Sequence, residues 1–304
     1  MTGESAHYPI RIVSELTGIN PVTLRAWERR YGLIKPMRTP KGHRLYTPDD
    51  IALIREVLAL LESGVAIGQA RSYLERKADA QDPNAPSDAN DWQPLRQRLF
   101  GAITSFKQEE LDRIYNEALS LYPIEIVTEQ LLKPTLRSLG KRWQSGRGGI
   151  AEEHFFTTYM RNKLGARLHH MTLKTGGPKL IAACMPGEQH DLGLLLYCVA
   201  AAERTAYRFI ILGANTPLDE INIARERSGA AGILLSGSIT EEEDLPWQEL
   251  ATLASTTQAP LFIGGRVSLQ HHDTLRAIGA IPLGIDTAAA LRRMGLELPF
   301  GGKE

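Results

Sequence analysis

Cysteine is nearly absent: Cys184 and Cys198 are the only two in 304 residues. Both fall in apolar stretches, which excludes a disulfide framework and predicts buried thiols in a reducing compartment. Net charge is absent as well, since 35 Lys and Arg balance 35 Asp and Glu. Any affinity for nucleic acid must therefore come from a local patch, because the chain as a whole has no field to supply it. No uninterrupted apolar run reaches the ~18 residues that a bilayer requires, so no membrane partner is expected. The N-terminus has no basic start followed by an apolar core, and the expected location is cytoplasmic. A Ser/His/Asp triad, a phosphate-binding glycine loop and zinc-type cysteine spacing are all missing, which argues against an enzyme. Internal repeats and low-complexity tracts are missing too.

The chain is long enough for two or three domains, and its composition shifts mark their boundaries. Residues 1–77 are helix-rich and basic. Residues 78–91 are polar, hold two prolines and lack apolar periodicity, so they are expected to be a linker. Over 92–175 the apolar residues return at helical spacing: Leu95, Leu99 and Ile103, then Leu111, Ile114, Tyr115 and Ala118, then Ile126, Leu131, Leu132, Leu136 and Leu139. That pattern predicts a four-helix bundle whose last helix starts near Ala151. Gly176-Gly-Pro178 opens the final segment, 176–304. There, short β-rich runs at 179–185, 207–212, 231–235, 260–263 and 281–285 alternate with helical stretches. The expected fold is multidomain, ending in an α/β Rossmann-like domain with a five-stranded parallel sheet in flavodoxin-like order.

Ile12, Val13 and Leu16 predict a first amphipathic helix, stopped by Gly18. Pro21 opens a second helix where its missing N–H does no harm. On the second, Thr23, Arg25, Arg29 and Arg30 stand on or near one face, while Leu24, Trp27 and Tyr31 can turn inward. A basic hairpin-like loop follows, with Lys35, Arg38, Lys41 and Arg44. Glu28 is the sole acid between Pro21 and Tyr46. Basic helices are commonly only solvated, but here the motif is specific. Thr23-Leu-Arg-Ala-Trp-Glu-Arg-Arg-Tyr-Gly-Leu33, with Arg44-Leu-Tyr46 behind a wing, resembles the MerR-type winged helix-turn-helix. The resemblance implies a double-stranded DNA operator as partner. It places Thr23, Arg25, Arg29 and Arg30 in or beside the major groove, and Arg38, Lys41 and Arg44 in the wing on phosphates or the minor groove.

Glu188-Gln-His190-Asp-Leu-Gly193 follows the first β-rich run of the last segment. Ser236-Gly-Ser238 ends a later run, and Gly264-Gly265 ends another. A loop histidine beside small residues at two strand ends describes a slot for a planar metal cofactor with a long tail. This spacing resembles the cobalamin-binding domain of methionine synthase, the mutases and light-responsive regulators. Trp143, followed by Glu153-His154 on the next helix, completes a set that resembles CarH-type photoreceptor repressors along essentially the whole chain. That resemblance implies adenosylcobalamin as cofactor and His190 as the lower cobalt ligand, a role that suits a neutral imidazole. Either Glu188 or Asp191 would accept from the other ring nitrogen.

In the same resemblance Ser236, Ser238, Gly264 and Gly265 line the tail slot, and Gly193 allows the backbone to approach the corrin. Trp143 covers the upper face, Glu153 bonds the adenosyl group, and His154 sits nearby. The implied function is a DNA-binding transcription regulator, a repressor, in which light cleaves a weak cobalt–carbon bond and an oligomer dissociates from DNA. Self-association as a homodimer or homotetramer is assigned to the C-terminal half. MerR-type proteins that pair through their DNA-binding half extend a long helix there, whereas this helical pattern stops near Ala78, too short to pair alone. One position departs: Gln144 stands where the resembled repressors carry a histidine that caps cobalt after photolysis. Gln144 keeps a second reading in play, a MerR-type regulator with a vestigial or differently liganded pocket.

Overall fold

A computed structural model of the chain describes residues 7–78, 92–145, 148–172, 176–238 and 241–299, without the side chains of 75–78, 143–145, 172 and 242. The expected linker, 78–91, lies outside the described residues except for Ala78. The chain divides into two compact units, Met1–Tyr159 and Met160–Glu304.

The first unit begins with a small head. Strand β1 (Tyr8–Pro9) leads into helix α1 (Ile10–Thr17), which ends at Gly18 with φ 72°. Helix α2 (Pro21–Ala26) starts at Asn20, whose side chain accepts from the Val22 N–H, and continues as a π-turn over Trp27–Tyr31. Strands β2 (Met37–Arg38) and β3 (Arg44–Tyr46) form the wing, and β1 pairs antiparallel with the far side of β3. Helix α3 (Pro48–Glu62) is fixed at its start by a reciprocal Thr47–Asp50 capping box, which satisfies two otherwise orphaned N–H groups. Helix α4 (Ile67–Ala78) ends where the helical pattern in the sequence stops.

Helices α5 (Trp92–Thr104) and α6 (Gln108–Leu121) open the bundle. Its third member is α7 (Ile124–Val127), a π-turn over Thr128–Leu132 and α8 (Lys133–Ser145); α9 (Gly149–Thr172) is the fourth. Leu99, Ile103, Leu111, Ile114, Ala118, Leu131 and Leu139 are buried, as their spacing predicts. Leu95 and Leu136 are half-buried. Head and bundle make one compact unit because the α6–α7 corner fits into the head. The buried Trp27 indole donates to the Leu121 carbonyl at 2.8 Å, and the Ile67 N–H donates to the Tyr122 hydroxyl at 3.4 Å. Trp92 packs on Tyr122 with ring centroids 4.4 Å apart.

The second unit starts inside α9, earlier than the expected boundary at Gly176. Two ion pairs, Arg161 with Asp191 and Arg167 with Glu203, bind the C-terminal half of α9 to the α/β layer. The layer runs β4 (Lys179–Cys184), α10 (Leu192–Arg204), β5 (Arg208–Gly213), α11 (Leu218–Ser228), β6 (Gly232–Ser236), α12 (Trp247–Thr256), β7 (Leu261–Gly264), α13 (Arg266–Gln270), α14 (His272–Ala277), β8 (Ile281–Gly284) and α15 (Thr287–Glu297). All five strands are parallel in the order β5-β4-β6-β7-β8, the flavodoxin-like order expected. Each β-run lies within one residue of its expected position. Strand β4 is buried from Leu180 to Cys184, as a central parallel strand covered on both faces should be. Chain direction reverses between β5 and β6 on either side of β4, so the loops after β4 and β6 part there. In such sheets, ligands bind at that crevice.

Candidate cofactor and DNA sites

Three loops converge at the carboxyl edge of β4, β6 and β7. Cys184 lies in register with Ser236, and Ser236 with Gly264, so the three sequence signals stand on adjacent strands. The Glu188 loop leaves β4, and its carboxylate, 3% exposed, gathers four donors. The His190 N–H donates to Oε1 at 2.7 Å, and Nδ1 of the His190 ring lies 2.9 Å from the same oxygen. The Ser238 N–H donates to Oε2 at 2.8 Å, and the Ser238 hydroxyl donates to Oε2 as well. Burial pushes this carboxyl up, but the hydrogen bonds from Ser238 and His190 more than offset it and hold it below the ordinary value of 4.5.

The His190 side chain is 67% exposed. With Nδ1 on Glu188, Nε2 is the ring nitrogen turned from the loop, and the bond fixes a tautomer able to ligate a metal. Asp191, left open beside Glu188 as the ring's partner, has a different role. Nε of Arg161 reaches both its oxygens at 3.0 Å and Nη2 reaches Oδ1 at 2.8 Å. Arg161 was not visible as a site residue, because it sits 30 positions away on another element and only the fold brings it to the loop. Behind the loop, burial and then the charges of Glu188 and Asp191 push the Cys184 thiol up to about 12. Cys198, fully buried, is pushed up by burial, so both cysteines are the free, buried thiols expected.

The small residues have separate reasons. A Cβ on Gly265, whose φ is 90°, would stand 2.4 Å from the Gly237 carbonyl oxygen. The loops after β6 and β7 thus need glycine at 265 for their own contact, whatever lies in the slot. Gly237, not singled out from sequence, is less tightly constrained, since a Cβ there would meet the Met185 sulfur at 2.8 Å, a contact with a flexible side chain. Gly193 is exposed with nothing within 4 Å of a built Cβ, and Gly264 has only ordinary contacts. Ser236 is half-buried, and its carbonyl accepts from the Met185 N–H.

On the bundle, Glu153 is half-buried and His154 is exposed near the start of α9. The buried carboxylate of this helix start is Glu152, which accepts from Arg142 Nε at 2.7 Å and Nη2 at 3.2 Å. That fork ties the last turn of α8 to the first of α9. Trp143 and Gln144 stand in the last turn of α8, and their side chains lie outside the described residues.

On the head, Arg25, Arg29 and Arg30 are exposed on the recognition helix. Thr23 does not join them. It is 1% exposed, because it stands one helical turn before the buried Trp27 and shares its inward face. The expected placement of Thr23 at the groove is therefore corrected. A cleft of about 220 Å³ between α2 and the wing is lined by Pro9, Ile10, Arg25, Gly42, His43 and Arg44. Glu28 binds both wing arginines: Arg38 Nη2 donates to Oε1 at 2.9 Å, and Arg44 Nε donates to Oε2. Lys41 is exposed at the wing tip.

The family described as MerR HTH family regulatory protein matches residues 8–77, and the B12 binding domain family matches 95–168. The HTH-type transcriptional repressor CarH of Myxococcus xanthus is 30% identical over 282 residues, 87% of this chain and 90% of its own. The chain belongs to the CarH-type, B12-binding MerR regulators. A second CarH-type relative, the repressor CarA of Myxococcus xanthus, is 27% identical over 89% of this chain and 91% of its own. The monomethylamine corrinoid protein of Methanosarcina barkeri shares the fold: 15% identity, 66% of this chain, 96% of that chain, TM-score 0.50. In CarH-type terms, the head is the DNA reader and the remainder carries the B12-binding fold. No helix among the described residues is long and apolar enough to cross a membrane.

Proposed function

We propose that the chain is a cytoplasmic transcription repressor that binds adenosylcobalamin and uses it as a light-labile ligand to control self-association and DNA binding. The observation that carries the reading is His190, an exposed imidazole with Nδ1 fixed on a buried, four-fold bonded carboxylate at the switch point of a parallel sheet. The residues fit the group: a neutral nitrogen donor suits cobalt, and Gly193 leaves the face beside it open.

When bound, adenosylcobalamin supplies a cobalt–carbon bond weak enough for visible light to break. His190 would hold the metal through Nε2. Glu188, itself held by Ser238, orients the imidazole through Nδ1. Gly264, Gly265 and Ser236 leave room for a nucleotide tail. On the bundle, Trp143, Glu153 and His154 are the residues proposed to recognise the adenosyl group, with Glu152 and Arg142 holding the two helix ends that carry them. On DNA, Arg25, Arg29 and Arg30 face the major groove while Lys41, with the Glu28-braced Arg38 and Arg44, faces the backbone. Self-association through the C-terminal half supplies the two-fold reader that palindromic operators need. Ligand binding shifts that assembly only by its differential affinity for the assembled state.

The test is size-exclusion chromatography with adenosylcobalamin, dark and illuminated, beside an operator-binding assay. A coloured, larger species that binds operator in the dark and becomes smaller in light is expected, and His190→Ala should stay colourless. A colourless wild-type protein would remove the cofactor reading and leave a DNA reader with another trigger.

A further inference from the structure

The loop that presents His190 has no regular structure between β4 and α10, and the His190 ring is largely exposed. Holding such a segment in one conformation costs chain entropy at every residue. Ser238 acts on the Glu188 side chain and Arg161 on Asp191, but neither holds the backbone that enters the loop. Asn215 does. It lies after β5, on the neighbouring strand, and makes a reciprocal pair with that backbone. The Gly187 N–H donates to the Asn215 side-chain oxygen at 2.7 Å, and the Asn215 N–H donates to the Glu188 carbonyl at 2.8 Å.

Asn215 has φ 47°, one of two non-glycine residues with positive φ among those described. The left-handed region is unfavourable for most side chains, and asparagine is among the few that enter it readily. Its persistence here, bonded on both sides, indicates a position set by its surroundings. The next residue continues the seam, where the Thr216 N–H donates to the Cys184 carbonyl at 3.4 Å.

We propose that Asn215 is the positioning residue for the metal ligand: its two-way bond to Gly187 and Glu188 presets the loop so that the His190 imidazole is in place before cofactor arrives. The inference rests on the reading of His190 as cobalt ligand. Two full-length variants separate backbone from side chain. Asn215→Gly keeps the left-handed conformation and loses the acceptor; Asn215→Asp keeps both.

The measurements are two. In the cofactor-free protein, amide hydrogen exchange over 187–190 should speed up in Asn215→Gly and stay near wild type in Asn215→Asp. In protein labelled with 15N-histidine and loaded with cob(II)alamin, histidine ligation splits the electron paramagnetic resonance lines into doublets. Supporting groups of this kind typically affect metal affinity by about 10–100-fold, so Asn215→Gly should lower the doublet fraction at limiting cofactor by about tenfold, and Asn215→Asp should restore it. Unchanged exchange, or full doublet intensity in Asn215→Gly, would overturn the clamp while leaving His190 as ligand. A wild-type spectrum without doublets would remove the ligand reading and the clamp's role with it.

Discussion

Glu188 is a buried carboxylate whose acceptor positions are filled by His190 and Ser238, and its removal should be felt at the metal. Glu188→Leu leaves Nδ1 without an acceptor and should weaken cobalamin binding by about 10–100-fold, read by titrating absorbance. Gln144 makes a second prediction: an amide is a poor cobalt donor, so the illuminated wild type should lack a bis-imidazole cobalamin spectrum. Gln144→His should supply one. At this scale much was legible. Spacing marks His190 beside small residues at two strand ends, and the resemblance to CarH-type repressors adds the roles of Glu188 and Ser238, neither of which needs knowledge of packing. Arg161, Glu152 and Gly237 were not legible, because each matters only through a residue distant in sequence. Thr23 was misplaced for a related reason, since the face of a six-residue helix is settled by what lies behind it.

The wing depends on Glu28, the sole acid of the basic stretch. Burial pushes its carboxyl up, but hydrogen bonds and charge from Arg44 and then Arg38 outweigh this and lower it below the ordinary 4.5. A carboxyl depressed in the folded state stabilises it above its unfolded value and loses that contribution as pH falls through the folded one. Head stability should therefore hold above about pH 4.5 and decline below, and Glu28→Gln should flatten that acid limb in thermal melts. The same substitution frees two arginines and should loosen the wing. Recognition helix and bundle are joined by the Trp27–Leu121 bond. Trp27→Phe strands a carbonyl, a loss of about 1–3 kcal/mol, and leaves a cavity that adds to it, measurable by urea unfolding. Each partner read alone as an ordinary core residue, so the joint between head and bundle was not visible in the pattern.

Across the whole molecule, the near-zero charge leaves DNA affinity to the head. Lys41→Ala should weaken operator binding and reduce the salt slope by about one, measured by titrations at several salt concentrations. Cobalamin should stabilise the chain by mass action, about 2.7 kcal/mol at one hundred times its dissociation constant, and His190→Ala should abolish the shift in melting temperature. Periodicity and punctuation were enough to place the head, the bundle helices and all five strands, because an apolar face repeats at intervals set by local backbone geometry. Spacing and resemblance together single out His190 as the proposed metal ligand. Which acid holds that imidazole, which ion pairs bind α9 to the α/β layer, and how Trp27 anchors the reader were settled only by folding. Those features are pairings between residues far apart in the chain, and a pairing has no period.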